Sequence, residues 1–266
     1  LLHGYQSDSG VLERLRRACL ASSIPPITFY YPNNGPLAWS GHRLSYELKS
    51  LAAKYPKLRL AIVAHSMGGL VARQALEAPE NDPGCVTDLV MLGTPNHGSA
   101  LAPLGREWLA IILQPIPTAE SLRDGLGEAA DDLRPGSRFL TVLNGYEPSR
   151  TVRYHVAIGR RSFFSAERRD EMRRELEVVM QRRGLPEADR AAILKYLAQP
   201  EVTDGQGDGV VAISSAQLKH MHTEKLFDSN HVELATLPGE HPERHEAFRW
   251  ILATLDGDQQ SENKHE

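Results

Sequence analysis

The sequence predicts an α/β fold: a mostly parallel central sheet with helices on both faces and helical cap insertions. Three observations carry this. Short apolar runs rich in Val, Ile and Leu alternate with segments of helical spacing, as in successive βαβ units. The 266 residues suit one large α/β domain. Between one apolar run and the helix after it lies Ala64-His65-Ser66-Met67-Gly68, a small-x-Ser-x-small turn.

Composition narrows the classes. At 41% hydrophobic and 24% charged, the chain is ordinary for a globular protein. The net charge of −4 gives no basic footprint, so a nucleic-acid partner is not expected. No apolar run reaches the roughly 18 residues that cross a bilayer. Two cysteines, Cys19 and Cys85, form neither a disulfide framework nor a tetrahedral zinc site by themselves, and read as half-buried thiols. The chain opens Leu1-Leu2-His3-Gly4 without an initiator Met. Leu1 and Leu2 are expected to be the end of a strand whose upstream part lies outside this sequence, placed between the strands at Ile27 and Leu58. No signal-like segment marks a compartment, and no motif fixes the oligomeric state.

Taken in order, Ser7, Asp8 and Ser9 are N-cap candidates for a helix with Val11, Leu12, Leu15 and Ala18 on its inner side. Ile27–Tyr31 is the next expected strand, bounded by prolines. Trp39–Tyr55 is a helix whose Leu44, Leu48 and Leu51 face the sheet. Leu58–Val63 and Val86–Leu92 are buried strands around the serine turn and its helix. An excursion over about 99–136 includes Leu101–Ile116, where Leu104, Trp108, Ile111 and Ile112 fall at helical spacing. Trp108, Ile111 and Ile112 are expected in a lid or acyl-pocket wall, since the apolar residues extend beyond one stripe. Residues 137–143 return to the body, and Val152–Ile158 is a strand. A charged helical excursion at about 160–206 has Met172, Leu176, Val179 and Met180 on one face, with Pro186 opening its second helix. Val232–Leu237 is read as the last strand, Pro242–Leu255 as the last helix, and 257–266 as a polar tail. The whole of 1–256 is thus one domain, incomplete at its N-terminus, with two cap excursions.

A serine hydroxyl becomes a useful nucleophile only when a base takes its proton and a carboxylate orients that base. Ser66 is the candidate nucleophile. The acid is expected in the Gly-rich stretch Gly207-Asp208-Gly209, hence Asp208, with Asp204 in reserve; an Asx turn or, less favourably, a calcium loop are the other readings. The base is expected just after the last strand, in Pro238-Gly239-Glu240-His241, hence His241, with His245 second. On this reading His231 precedes the strand and lies at the wrong end of the sheet, while His220 and His222 are surface histidines. Two backbone N–H groups, of Met67 and Tyr5, are the expected oxyanion donors. His3 is expected to anchor the loop that carries Tyr5.

These residues together resemble the α/β-hydrolase superfamily, in its lipase and esterase branch. Leu2-His3-Gly4-Tyr5 is similar to that branch's oxyanion loop and Ala64-His65-Ser66-Met67-Gly68-Gly69 to its nucleophile elbow. Gly93-Thr94-Pro95-Asn96-His97-Gly98-Ser99, Pro135-Gly136-Ser137 and Gly207-Asp208-Gly209-Val210-Val211 are similar to segments of bacterial triacylglycerol lipases and of acyltransferase and inositol-deacylase relatives. The resemblance covers most of 1–159 and 206–255 and lapses over 160–206. It implies hydrolysis of carboxylic esters through an acyl-enzyme, without cofactor or metal. Its substrate would be an acyl ester or lipid, with transient contact at a lipid interface. Transfer of the acyl group to an alcohol is the variant on the same fold. A zinc hydrolase is disfavoured because Pro242 stands where the H-E-x-x-H pattern needs glutamate beside the first histidine. A non-catalytic binding protein would be expected only if a triad member were missing.

Overall fold

Three adjacent strands are apolar on both faces, and their alternate residues enter two different cores. In the computed structural model these are β1 (Leu60–His65), β2 (Val86–Leu92) and β3 (Arg153–Gly159). Ile62, Leu89, Met91, Val156 and Ile158 join one core. Their neighbours Val63, Val90, Leu92 and Ala157 join the other. Such runs are typical of parallel sheets covered on both sides. The structure describes residues 1–4, 9–32, 35–79, 81–100, 102, 129–184 and 186–256.

The strands run in the order β1-β2-β3-β4, all parallel, with β4 at Thr223–Phe227. Beyond β1, Leu2 bridges in parallel to both Ala64 and Phe29. The Leu2 N–H donates to the Val63 carbonyl at 3.0 Å, and the His65 N–H to the Leu2 carbonyl at 3.1 Å. The Leu1-Leu2 segment therefore lies between the chain at Phe29 and β1, as its apolar character implied. Only Phe29 of the expected Ile27–Tyr31 strand bridges, and Ile27 is exposed.

Helix α1 (Ser9–Ala21) presents Leu12, Leu15 and Ala18 to the second core, which also receives Ala247, Phe248 and Ile251 from the last helix. On the opposite face α2 (Leu37–Lys54) buries Leu44 and Leu48, with Leu51 only partly covered. Helix α3 (Met67–Glu77) is buried along its whole length. Two short helices follow, α4 (Ala129–Leu133) and α5 (Arg138–Leu143). The charged excursion folds as α6 (Ala166–Arg182) and α7 (Glu187–Leu197). Met172, Leu176 and Met180 pack into the first core with Tyr196 and Leu197, while Val179 stays outside at 37% exposure. Cys19 and Cys85 are free, buried thiols in different cores. Ser7, Asp8, Trp108, Ile111, Ile112 and the tail from residue 257 lie outside the described residues.

The end of the chain corrects the sequence reading. After α8 (Ile213–Ala216) the last strand among the described residues is β4, and Val232–Leu237 is not a strand: Glu233–Thr236 form the single turn α9. The apolar residues Val232, Leu234, Ala235 and Leu237 fit either period over so short a run. The decision falls at the preceding turn. Asn230 Oδ1 accepts the Glu233 N–H at 3.0 Å, and Glu233 Oε2 accepts the Asn230 N–H at 3.0 Å, a reciprocal capping box that starts a helix. The described residues end in a short 3₁₀ turn, Pro242–Arg244, and α10, Glu246–Asp256.

A buried polar cluster crosses the sheet. Asp88 of β2 accepts from Arg153 Nε and Nη2 at 2.9 Å each and from His155 Nε2 at 3.0 Å. Burial alone would raise the Asp88 carboxyl, but the His155 and Arg153 hydrogen bonds outweigh it and hold it down to about 2. The folded value lies below the unfolded one, ~3.9. Its stabilisation is therefore present above about pH 4 and lost as pH falls towards 2. Asp88→Asn should lower stability at pH 7 by about 2 kcal/mol. The difference from wild type in calorimetric Tm should shrink between pH 4 and pH 2.

Candidate active site

Ser66 occupies the turn between β1 and α3 with φ +54° and ψ −128°, a left-handed conformation that a non-glycine residue adopts only when its surroundings impose it. The constraints are visible. Its N–H donates to the Leu92 carbonyl at 2.8 Å, and its carbonyl accepts from Gly69 N–H and from Thr94 Oγ1, both at 3.0 Å. The turn can close only on small neighbours: a Cβ on residue 68 would stand 2.5 Å from the His3 carbonyl oxygen. Ala64 is fully buried at the other end of the turn. Met67 opens α3, so its N–H is among the first four of the helix, which have no intrahelical acceptor.

His231 Nε2 lies 2.9 Å from Ser66 Oγ, and His231 Nδ1 lies 2.8 Å from Asp208 Oδ2. A carboxylate only accepts, so Nδ1 carries the proton and Nε2 is left to accept the Ser66 hydroxyl. Asp208 and His231 are each 1% exposed. The other carboxylate oxygen, Asp208 Oδ1, accepts Val210 N–H at 2.9 Å and Val211 N–H at 2.7 Å, while His231 N–H donates to the Asp208 carbonyl at 2.9 Å. The Asp208 carboxylate is therefore held by its own loop as well as by the imidazole.

That loop is latched to the segment after β2. Ser99 Oγ donates to the Val210 carbonyl at 2.6 Å, His97 N–H to the Ser215 carbonyl at 3.0 Å, and Asn96 Nδ2 to the Ala216 carbonyl at 2.7 Å. The Gly93–Ser99 motif thus positions the Asp208 loop. Asp204 is exposed and accepts the Ser162 N–H at 3.1 Å, away from Ser66.

The histidine expectation is corrected here. The imidazole on Ser66 is His231, four residues beyond the end of β4, and not His241. His241 precedes the 3₁₀ turn, is 57% exposed in its side chain and pairs with Glu243 Oε1 at 3.1 Å. Arg14 of α1 holds its loop by bonding the Leu237 and Gly239 carbonyls. His245 accepts the Ala247 N–H at 3.2 Å. The positional rule, a base after the last strand, selects His231 once β4 is recognised as that strand. The capping pattern Asn230-x-x-Glu233 is the local signal, since it starts a helix within the apolar run Val232–Leu237. Tyr5 lies outside the described residues. His3 Nδ1 is 2.8 Å from the Gly4 carbonyl, and its ring stacks on Tyr31 at 4.4 Å.

Known proteins share this architecture. The mature lipase BlEst2 of Bacillus licheniformis superimposes with a TM-score of 0.64 at 17% identity, covering 96% of this chain and 89% of that one. Phospholipase PlaB of Legionella pneumophila gives 0.67 at 16%, over 96% of this chain and 58% of that one. The metagenomic carboxyl esterase MGS0156 gives 0.56 at 16%, over 97% and 74%. The chain has the α/β-hydrolase fold of these lipases and esterases. More particularly, the model of the PGAP1-like alpha/beta domain family matches residues 41–108, from α2 through the Ser66 turn and β2. No curated protein matches the sequence.

The strained turn makes a thermal prediction. Ser66→Gly, which relieves the positive φ, should be more stable than Ser66→Ala, which keeps it, by ~1–3 kcal/mol. Calorimetric melting of the two variants, both without a hydroxyl, is the comparison.

Proposed function

We propose that the protein hydrolyses carboxylic esters through an acyl-enzyme on Ser66, with His231 as general base and Asp208 as its orienting carboxylate. The observation that carries the reading is the continuous, buried chain from Ser66 Oγ through His231 to Asp208, with both links under 3 Å. The α/β-hydrolase fold and its lipase and esterase neighbours support it.

In the proposed reaction Ser66 Oγ attacks the ester carbonyl carbon while its proton passes to His231 Nε2. The carbonyl electron pair moves onto oxygen, where the Met67 N–H and the N-terminal end of α3 stabilise it; Tyr5 N–H is the proposed second donor. Collapse breaks the bond to the alcohol, which leaves with the proton from His231. Water then adds to the acyl-enzyme with the same imidazole as base, releasing the acid and regenerating Ser66. Asp208 keeps its charge throughout and stabilises the imidazolium. The proposed substrate is an acyl ester or lipid, with Trp108, Ile111 and Ile112 proposed for the acyl pocket or lid. No cofactor is needed for these steps.

Hydrolysis of p-nitrophenyl esters from two to sixteen carbons, with phosphonate labelling read by mass spectrometry, tests the assignment. His231→Ala should abolish the acylation burst and the labelling of Ser66, while His241→Ala should keep both. If His231→Ala acylates at the wild-type rate, the proposed base is wrong. Asp208→Asn should lower kcat on the order of 10⁴-fold, and Asp204→Asn far less; the reverse ranking would reassign the acid.

A further inference from the structure

The residue before the nucleophile makes a contact that the proposed reaction has not used. His65 is the last residue of β1, buried at 6% exposure, and its ring lies 4.8 Å from that of His231. Its Nε2 is 2.9 Å from the backbone carbonyl of His231. A carbonyl can only accept, so Nε2 carries the ring proton and Nδ1 is a bare lone pair. That Nδ1 is buried and has no hydrogen-bond partner among the described residues. It faces Gly4: a Cβ built there would stand 3.1 Å from His65 Nδ1 and 2.8 Å from Ser66 Cβ. One ring thus meets the His231 backbone on one edge and Gly4 on the other.

We propose that His65 is a positioning residue, whose Nε2–H clamps the His231 carbonyl and so sets the reach of the His231 imidazole to Ser66. His231 sits between the end of β4 and the single turn α9, with no long element of its own to hold it. Its peptide is gripped on one side by the Asp208 carbonyl, which accepts the His231 N–H, and on the other by His65, which donates to the His231 carbonyl. With both peptide groups fixed, the side chain is left to span Asp208 and Ser66. The His65 ring is suited to this by staying neutral. Burial lowers it first, and the neighbouring His231 and His3 lower it further, to about 3. It therefore adds no charge beside the imidazolium that the reaction forms.

The proposal rests on the ester-hydrolase reading, and its test separates the two. A glutamine amide places an N–H near the position of an imidazole Nε2, whereas asparagine is one methylene too short and leucine has no donor. His65→Gln should therefore keep kcat close to wild type on p-nitrophenyl butyrate. His65→Asn and His65→Leu should lower kcat on the order of 10²-fold with KM little changed, the scale of a small misplacement of a reacting group. In parallel, the downfield proton resonance expected between His231 and Asp208 should persist in His65→Gln and shift or broaden in His65→Leu. Should His65→Leu fail to fold by circular dichroism, the Gln and Asn pair still decides. A wild-type kcat in His65→Asn or His65→Leu, or a His65→Gln no better than they are, overturns the proposal. Ser66→Ala is the control for the underlying reading: retained hydrolysis there sinks the serine mechanism, while the resonance still reports on the clamp.

Discussion

The turn at Ser66 exists only because several separate segments hold it. Left to itself, a serine avoids a φ of +54°, and the short turn offers no internal compensation. The backbone of β2 takes its N–H, Thr94 takes its carbonyl, and the carbonyl of His3 closes over Gly68. These partners come from the C-terminal end of β2 and from the Leu2-His3 segment on the other side of β1, so the turn and the parallel sheet require each other. Parallel strands bring all their C-terminal ends to one edge, and a crevice outside that edge is where open α/β sheets gather functional groups.

Asp208 and His231 reach this edge by different routes. Asp208 follows the long excursion that carries α6 and α7, and the chain's return is fixed by the latch between Gly93–Ser99 and residues 210–216. The two excursion helices contribute Met172, Leu176, Met180, Tyr196 and Leu197 to the core on the α2–α3 face. The charged surface of α6, with Arg168 pairing Glu171 and Glu175, is a solvated outer side. His231 arrives directly from β4, and its loop is short because Asn230 and Glu233 cap one another at once. Local capping and long-range pairing thus meet within eight residues, between Thr223 and Asn230.

Much of this could be read from the residues alone, because the constraints involved are local. Val86–Leu92 had to be a buried strand, since seven largely apolar residues bounded by turns suit little else. The serine turn declared itself through small residues at fixed offsets, and Gly207-Asp208-Gly209 through glycines around a carboxylate. Leu1-Leu2 was legible as strand-like from two leucines ahead of a glycine loop, and it bridges on both sides. What the residues alone could not choose was the histidine that meets Ser66. That choice depends on which segment pairs with β3. Thr223–Phe227 has only Phe227 fully buried and leaves Leu226 at 42% exposure, so as an edge strand it has little hydrophobic pattern to betray it. Val232–Leu237 has the stronger apolar pattern yet forms a turn of helix. The Asn230–Glu233 capping box starts the helix, and the parallel hydrogen bonds from β3 to β4 make Thr223–Phe227 the strand. Those bonds join backbone groups about seventy residues apart, and backbone pairing at that distance leaves no trace in local side-chain chemistry.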